Sequence, residues 1–394
     1  MALECKLVRD GAGMAQFEPA WRALLAHSSS DEPTLAPLWL STWWHVFGSQ
    51  GGRQLRIALF FRGARLVGMA PLIARRHWYF PAIPFRRLEW LASGEPEAEE
   101  IGSDYLGVVA ERGMEEEVVK AFATAIAGGK LGPWDELVLP AMNGESPTAS
   151  LLGRALTQVG IATTSESTVS CPYIALPSTW EQYVASLTSA GRYLITRSLR
   201  DVDEWAKGDV ELHEARTLPE LDEGKEILKR LHGDRWGAEG RSGVFGSPRF
   251  TAFHDEVMPL LLAADALELL WLTVRGDPIA IVYNIVWKDK VYFYQSGRKV
   301  DVPKGVRPGI VIHAHAIRRA IAAGRREYDF LGGASRYKVQ LATATRPLFR
   351  LRAIRSPRLE FAHKAAERGF ERARRLRDHL RGIGDRTGQL GAPT

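Results

Sequence analysis

The sequence predicts an α/β (α+β) fold built as two similar halves, each a mixed, mostly antiparallel sheet flanked by helices, followed by a basic C-terminal helix. Three patterns carry this expectation. A strand, tight turn, strand unit occurs twice, at 55–61 and 66–74 around Arg62-Gly63, and at 267–274 and 278–287 around Arg275-Gly276-Asp277. After each unit come a β-prone run, an apolar-periodic helix and a second strand: 104–109, 115–127 and 136–139, then 291–294, 310–323 and 328–331. The 394 residues suffice for two domains with cores of their own. Boundaries are expected at 1–168, 169–355 and 356–394.

Along the chain, Trp39, Trp43 and Trp44 recur at helical spacing and read as core. His77-Trp78-Tyr79-Phe80-Pro81 lies between Arg75, Arg76 and Arg86, Arg87, a mixture of rings and cations suited to a lipid interface or a ligand cover. Glu95, Glu97, Glu99, Glu100 and Asp104 form an acidic stretch beside Tyr105 that would draw a cationic amine between the halves. Small polar residues at 141–147 and 162–168 mark the connection, and Cys171-Pro172 the entry into the second half. A basic amphipathic segment, 193–207, follows, and Leu228, Leu231 and Arg235 then share a helical face. The apolar run 258–274 is broken by Asp265 and Glu268, so it does not read as a membrane span.

The stretch from 291 to 338 is the most informative. An aromatic strand with Tyr292 and Tyr294 enters a loop holding Lys304, Gly305 and Arg307, and Pro308-Gly309 opens a helix that Gly324 closes. The unpaired N–H groups of a first helical turn attract negative charge, and a glycine there lets a ligand approach the backbone. With Lys304 and Arg307 alongside, a pyrophosphate would fit. The strand 328–331 then leads through Gly332-Gly333 to Tyr337-Lys338. Beyond 357, Leu359, Ala362, Ala366, Phe370, Ala373, Leu376 and Leu380 keep helical spacing among many arginines.

Composition narrows the classes. The chain is 45% hydrophobic and 25% charged, a globular balance. Its net charge of +6 points to an anionic partner: CoA, an anionic membrane surface or nucleic acid. Cys5 and Cys171 lie far apart, which argues against a disulfide scaffold and a cysteine zinc site, and no metal is expected. The N-terminal segment shows no secretory apolar run, so a cytoplasmic location is expected, and the Arg75 to Arg87 hairpin with the arginine-rich C-terminal helix would suit a peripheral place at the inner membrane.

The order of these parts resembles the coenzyme A half of a GNAT-superfamily acyltransferase. Residues 291–338 resemble the C-terminal signature of CelD/BcsL-type (BioF2-like) acyltransferases in their aromatic strand, Pro308-Gly309, Tyr328-Asp329-Phe330 and Tyr337-Lys338. The Gln/Arg-x-x-Gly-x-Gly/Ala loop of classical GNAT proteins is absent. Upstream, Leu231-His232-Gly233-Asp234-Arg235-Trp236 with Ser242 to Phe245, the basic trio Arg192, Arg197 and Arg200, Trp43-Trp44 and the arm at 66–72 are similar to the same family. The layout also resembles the paired domains of Fem-type aminoacyl transferases, which carry an aromatic-Lys pair in a comparable place.

The resemblance implies two tandem GNAT-like domains and an N-acyltransferase with acyl-CoA as co-substrate. Its acceptor would be an amine of cell-envelope lipid or polysaccharide synthesis, such as a sphingoid base or an amino sugar. The alternatives are a Fem-like transferase drawing on aminoacyl-tRNA, or a non-catalytic nucleic-acid-binding protein using the arginines of 368–381. Acyl transfer needs a base, oxyanion donors and a donor clamp. Lys338 is the expected transition-state donor, with Tyr337 beside it. His232, Asp234 and Arg235 are the expected base and its orienters, and Asp329 a group facing the acceptor. Lys304, Gly305, Arg307, Pro308 and Gly309 are the expected clamp on CoA. Glu100, Asp104, Tyr105 and Tyr294 are the expected contacts to the acceptor. A surface lysine and a packed histidine are the competing readings of Lys338 and His232.

Overall fold

The computed structural model describes residues 2–79, 83–238, 243–333, 335–355, 357–370 and 372. Ile57–Arg62 and Arg65–Ala70 form the first antiparallel unit around Gly63, whose φ of +62° suits a residue without a Cβ. Pro71 has no N–H to give a ladder and ends the second arm. The next strand, Leu72–Tyr79, therefore enters a different sheet. Glu4–Val8, Ile57–Arg62, Arg65–Ala70 and Val109–Ala110 make a small four-stranded sheet.

The large sheet has eleven strands and runs through both halves. Its second-half part places Val210–Glu214, Leu267–Val274, Asp277–Trp287, Lys290–Arg298 and Glu327–Asp329 side by side. The thirteen-residue strand Thr163–Ala175 pairs with Glu327–Asp329 at one end and with Ala344–Ile354 along the rest. Ala344–Ile354 pairs in turn with Glu136–Asn143, beyond which lie Ile83–Trp90, Leu72–Tyr79 and Gln54–Leu55. The expected boundary between 168 and 169 thus falls inside a strand. The two halves share one sheet, sewn together by a strand from near the end of the chain. Leu267–Val274 is buried along its whole length, Glu268 and Thr273 included.

Each half contains one short parallel pair: residues 87–89 with 136–138, and 290–292 with 327–329. Parallel neighbours need a crossover, and the helices Glu115–Ala127 and Pro308–Ala322 supply it. In each pair the parallel ladder ends after three residues, which leaves an opening in the pairing beyond that point. In the first half Leu106 bridges to Met142 across this region, and the crossover helix opens on Glu115, Glu116 and Glu117, which repel an anion. In the second half the crossover helix opens on Pro308 and Gly309 with no carboxylate in its first turn. Of the two openings, the second suits a negatively charged ligand.

Trp39 and Trp43 are fully buried and Trp44 half-buried, in one core that extends across both halves. A second core lies between the helices Ser189–Ala206 and Pro308–Ala322 and the sheet. The arginine-rich hairpin differs from its expected lipid-facing role. Arg75 pairs with Glu89, Arg86 with Asp135 at 2.6 Å and Arg87 with Glu136 at 2.7 Å, so these cations already have carboxylate partners. The Tyr79 ring packs at 4.2 Å on His363, while Trp78 stays exposed. Phe80, Pro81 and the basic helix beyond 372 lie outside the described residues. Among the described residues no helix is long and apolar enough to cross a membrane.

Candidate active site

The tip of the helix Pro308–Ala322 borders a cavity of about 360 Å³. Arg307 precedes the helix with no side-chain cap, and Pro308 at the first position lacks an N–H, so Gly309 presents the first helical N–H. A Cβ on Gly309 would sit 3.4 Å from Arg298 Cδ, so the glycine keeps this wall close. Arg235, Arg298 and Arg307 bring three guanidinium groups to the cavity, and His313 and Tyr337 line its inner side. Guanidinium forks, a bare helix tip and a glycine together suit phosphate groups.

The strand Lys290–Arg298 reaches this cavity because it hugs the helix Leu218–Ala238. A Cβ on Gly297 would stand 2.7 Å from the backbone nitrogen of His232. A register shift in the same hairpin, between Tyr283 and Asn284, bends the strand there.

Beside the cavity, the chain after Glu327–Asp329 makes a sharp turn with Leu331 at φ +55° and Gly333 at φ +98°. This turn points its carbonyls one way and its N–H groups the other. Lys338 Nζ donates to Phe330 O at 2.7 Å and to Gly332 O at 3.1 Å, and lies 5.4 Å from the centre of the Phe293 ring. Gly332 N donates to Asp104 Oδ2 at 2.6 Å, and Leu331 N to Asp329 Oδ1 at 2.7 Å. An ammonium has three donors, and two of Lys338's are taken by carbonyls. Burial pulls the Lys338 ammonium below its ordinary value, with Asp104 opposing the shift. Burial also lifts the Asp104 carboxyl to about 6, against the pull of the Gly332 N–H and Lys338. A half-buried carboxylate near neutrality beside a half-buried ammonium has the chemistry of a base and a transition-state donor.

The expected site residues divide. Tyr337, Arg235, Arg307, Pro308 and Gly309 line the cavity, whereas Lys338 and Asp104 do not line it and meet instead on Gly332. Lys304 and Gly305 do not line the cavity; they lie exposed in the preceding turn, where Gly305 takes φ +98°. The His232, Asp234, Arg235 group does not form. Two positions apart on a helix, side chains face different ways: His232 is buried and Asp234 exposed. His232 Nε2 accepts from the Trp236 indole at 2.9 Å, and burial holds its ring at about 4, so it is a packed, neutral histidine. Ser242, expected to flank it, lies outside the described residues.

Asp329 is sealed, accepting from Tyr105 OH at 2.6 Å, and burial raises its carboxyl to about 7. It cannot touch an acceptor. Tyr105 is therefore a strut between the halves, as is Tyr294, whose hydroxyl donates to Ile101 O and lies 3.1 Å from His254 Nε2. The acidic stretch is largely absorbed: Glu95 accepts from the Trp43 indole and Glu99 pairs with Arg249 at 2.7 Å, while Glu100 stays exposed.

Two contributors escaped the sequence reading. Arg298 follows Ser296-Gly297, and a glycine inside a strand was its signal, since it marks close backbone approach. His313 also lines the cavity; its Nδ1 lies 3.1 Å from Tyr328 OH, and burial keeps the ring neutral at about 3.

Residues 189–339, which hold this opening, match the family described as acetyltransferase (GNAT) domain. The chain is an enzyme of the acyltransferase class, and its fold is a tandem of GNAT-like halves. That assignment sets aside the non-catalytic nucleic-acid-binding reading. No curated protein matches the sequence. Among solved structures, FemX is similar over 84% of this chain and 95% of its own, with a TM-score of 0.56 and 10% identity. A conserved protein of unknown function from Bacteroides thetaiotaomicron is similar over 89% of this chain and all of its own, at TM-score 0.51 and 10% identity. The C-terminal domain of a proposed lysylphosphatidylglycerol synthetase from Agrobacterium fabrum reaches TM-score 0.50 over 89% and 95% of the two chains, again at 10% identity.

Proposed function

We propose that this chain transfers an aminoacyl or acyl group from a phosphate-bearing donor to an amine, with Asp104 as base and Lys338 as oxyanion donor. The observation that carries the reading is the junction at Gly332. Its N–H holds the Asp104 carboxylate and its carbonyl holds the Lys338 ammonium, beside an arginine-lined helix tip. The donor's phosphates rest on Gly309 N–H, Arg298 and Arg307. Asp104 takes a proton from the acceptor amine, whose nitrogen attacks the donor carbonyl. Lys338's remaining N–H steadies the oxyanion. The new C–N bond forms as the ester or thioester bond breaks, and the proton on Asp104 passes to the leaving oxygen or sulfur.

Two donors share this chemistry. The Fem-like reading, an aminoacyl ester on tRNA, is favoured over the expected CoA thioester because FemX and the lysylphosphatidylglycerol synthetase domain share the whole tandem plan. The acetyltransferase (GNAT) match supports the thioester as a second reading. An assay with a labelled aminoacyl-tRNA pool, with and without RNase, run beside acetyl-, decanoyl- and palmitoyl-CoA, separates them. Transfer to an amine that RNase abolishes supports the first, and RNase-resistant transfer from a CoA thioester the second. If neither donor yields transfer that Lys338→Ala abolishes, the assignment fails.

A further inference from the structure

A second cavity lies on the seam between the halves, and none of its lining residues borders the helix-tip cavity. Its volume is about 230 Å³, room for about seven waters at roughly 30 Å³ each and less than a drug-sized ligand needs. Ser30, Ser146 and Thr148 come from the first half, and Lys290, Glu327 and Arg346 from the rest.

Two buried polar atoms of opposite kind in this lining lack a hydrogen-bond partner: Arg346 Nε and Glu327 Oε1. The Arg346 side chain is 4% exposed and lies 4.0 Å over the Tyr173 ring. Its Nη2 meets Glu327 Oε2 at 2.6 Å and its Nη1 stands 3.9 Å from Asp329. Its Nε has only the exposed Glu145 carboxylate, 3.8 Å away and beyond hydrogen-bond reach. Glu327 Oε1 has Lys290 at 3.7 Å, likewise too far. Leaving either atom dry and unpaired is costly.

The helix Pro147–Gln158 aims its start at the same space. Its N-cap, Ser146, gives no side-chain cap; the hydroxyl instead meets those of Ser30 at 3.2 Å and Thr148 at 3.0 Å. Charges in the lining balance, with Glu32, Glu145 and Glu327 against Lys290, Arg326 and Arg346. A lone anion or a lone cation would upset that balance. A small molecule carrying both charges would not.

We propose that the seam cavity binds a small zwitterion of the amino-acid class, its carboxylate on Arg346 Nε and the tip of the helix Pro147–Gln158, its ammonium on Glu327 Oε1. Bound there, it ties the two halves together. This site is independent of the acyl-transfer reading.

The test is calorimetry and thermal unfolding of the full chain with the twenty common amino acids, beside acetate and methylamine as singly charged controls. At least one amino acid binds and raises the melting temperature, while neither control does at the same concentration. Arg346→Gln weakens binding at least tenfold. Because that change also removes an ion pair, Ala149→Leu serves as the second variant: Ala149 lines the cavity and carries no charge. Ala149→Leu fills the space and abolishes binding while the circular dichroism spectrum stays that of the parent. The proposal is overturned if no amino acid binds, if the controls bind as tightly, or if Ala149→Leu binds undiminished.

Discussion

Asp104 and Lys338, from opposite halves of the chain, meet on a single residue: Gly332 gives its N–H to the Asp104 carboxylate at 2.6 Å and its carbonyl to the Lys338 ammonium at 3.1 Å. A Cβ on this glycine would stand 3.0 Å from Asp104 Oδ2, so a larger residue would press on the carboxylate. Each charge thus fixes the other's distance through a backbone held in a strained turn. Opposite charges this close favour ionisation of both, while burial resists it, which leaves the carboxyl near 6.

A base must be deprotonated to act, so turnover rises with pH through about 6 as Asp104 ionises. Asp104→Asn keeps an acceptor for the Gly332 N–H but removes the base. It is expected to lower turnover by about 100-fold or more and to erase that acidic limb. An unchanged pH profile in the variant would assign the proton to another group.

Lys338→Met keeps an unbranched side chain of similar length and removes the donor. Loss of one oxyanion donor costs roughly 100- to 1,000-fold in kcat, while donor affinity stays near that of the parent. Weakened binding with turnover intact would instead make Lys338 a structural clasp on the carbonyls of Phe330 and Gly332.

Arg298→Ala and Arg307→Ala act on the other side of the opening. If both guanidinium groups hold the donor's phosphates equally before and during reaction, as proposed, each substitution is expected to raise KM with kcat little changed. Steady-state kinetics over a range of salt checks this, because the parent's affinity falls with ionic strength and that of the double variant falls less.

The helix tip was legible because its signals are local: Pro308-Gly309 at one end and Gly324 at the other punctuate a single apolar period. The Asp104–Lys338 pairing was not, since it depends on which strands share a sheet. No pattern within Ala344–Ile354 says that it sits between Thr163–Ala175 and Glu136–Asn143. Reading His232 and Asp234 as partners failed on helix geometry, which turns a residue two places along to another face. Asp104 and Tyr105 were picked out through their acidic surroundings, yet their roles follow from Gly332 and Asp329, contacts no spacing reveals.

Asp329 offers a test of the same electrostatics through stability alone. Its carboxyl titrates near 7 in the folded chain and at about 3.9 once unfolded. Between those values the folded state holds a proton that the unfolded state has released, so this group's contribution to stability is fully present below about 4 and is lost as pH rises through 7. From pH 5 to pH 8 the loss is about 3 kcal/mol, at about 1.4 kcal/mol per unit while the group titrates. Asp329→Asn can accept from Leu331 N with its carbonyl and offer its amide to the Tyr105 hydroxyl, and Arg346 keeps Glu327. The variant's stability is therefore expected to decline less between pH 5 and pH 8 than the parent's. Urea midpoints at the two pH values measure it, and equal slopes in parent and variant would mean that the charge on Asp329 is not what the fold resists.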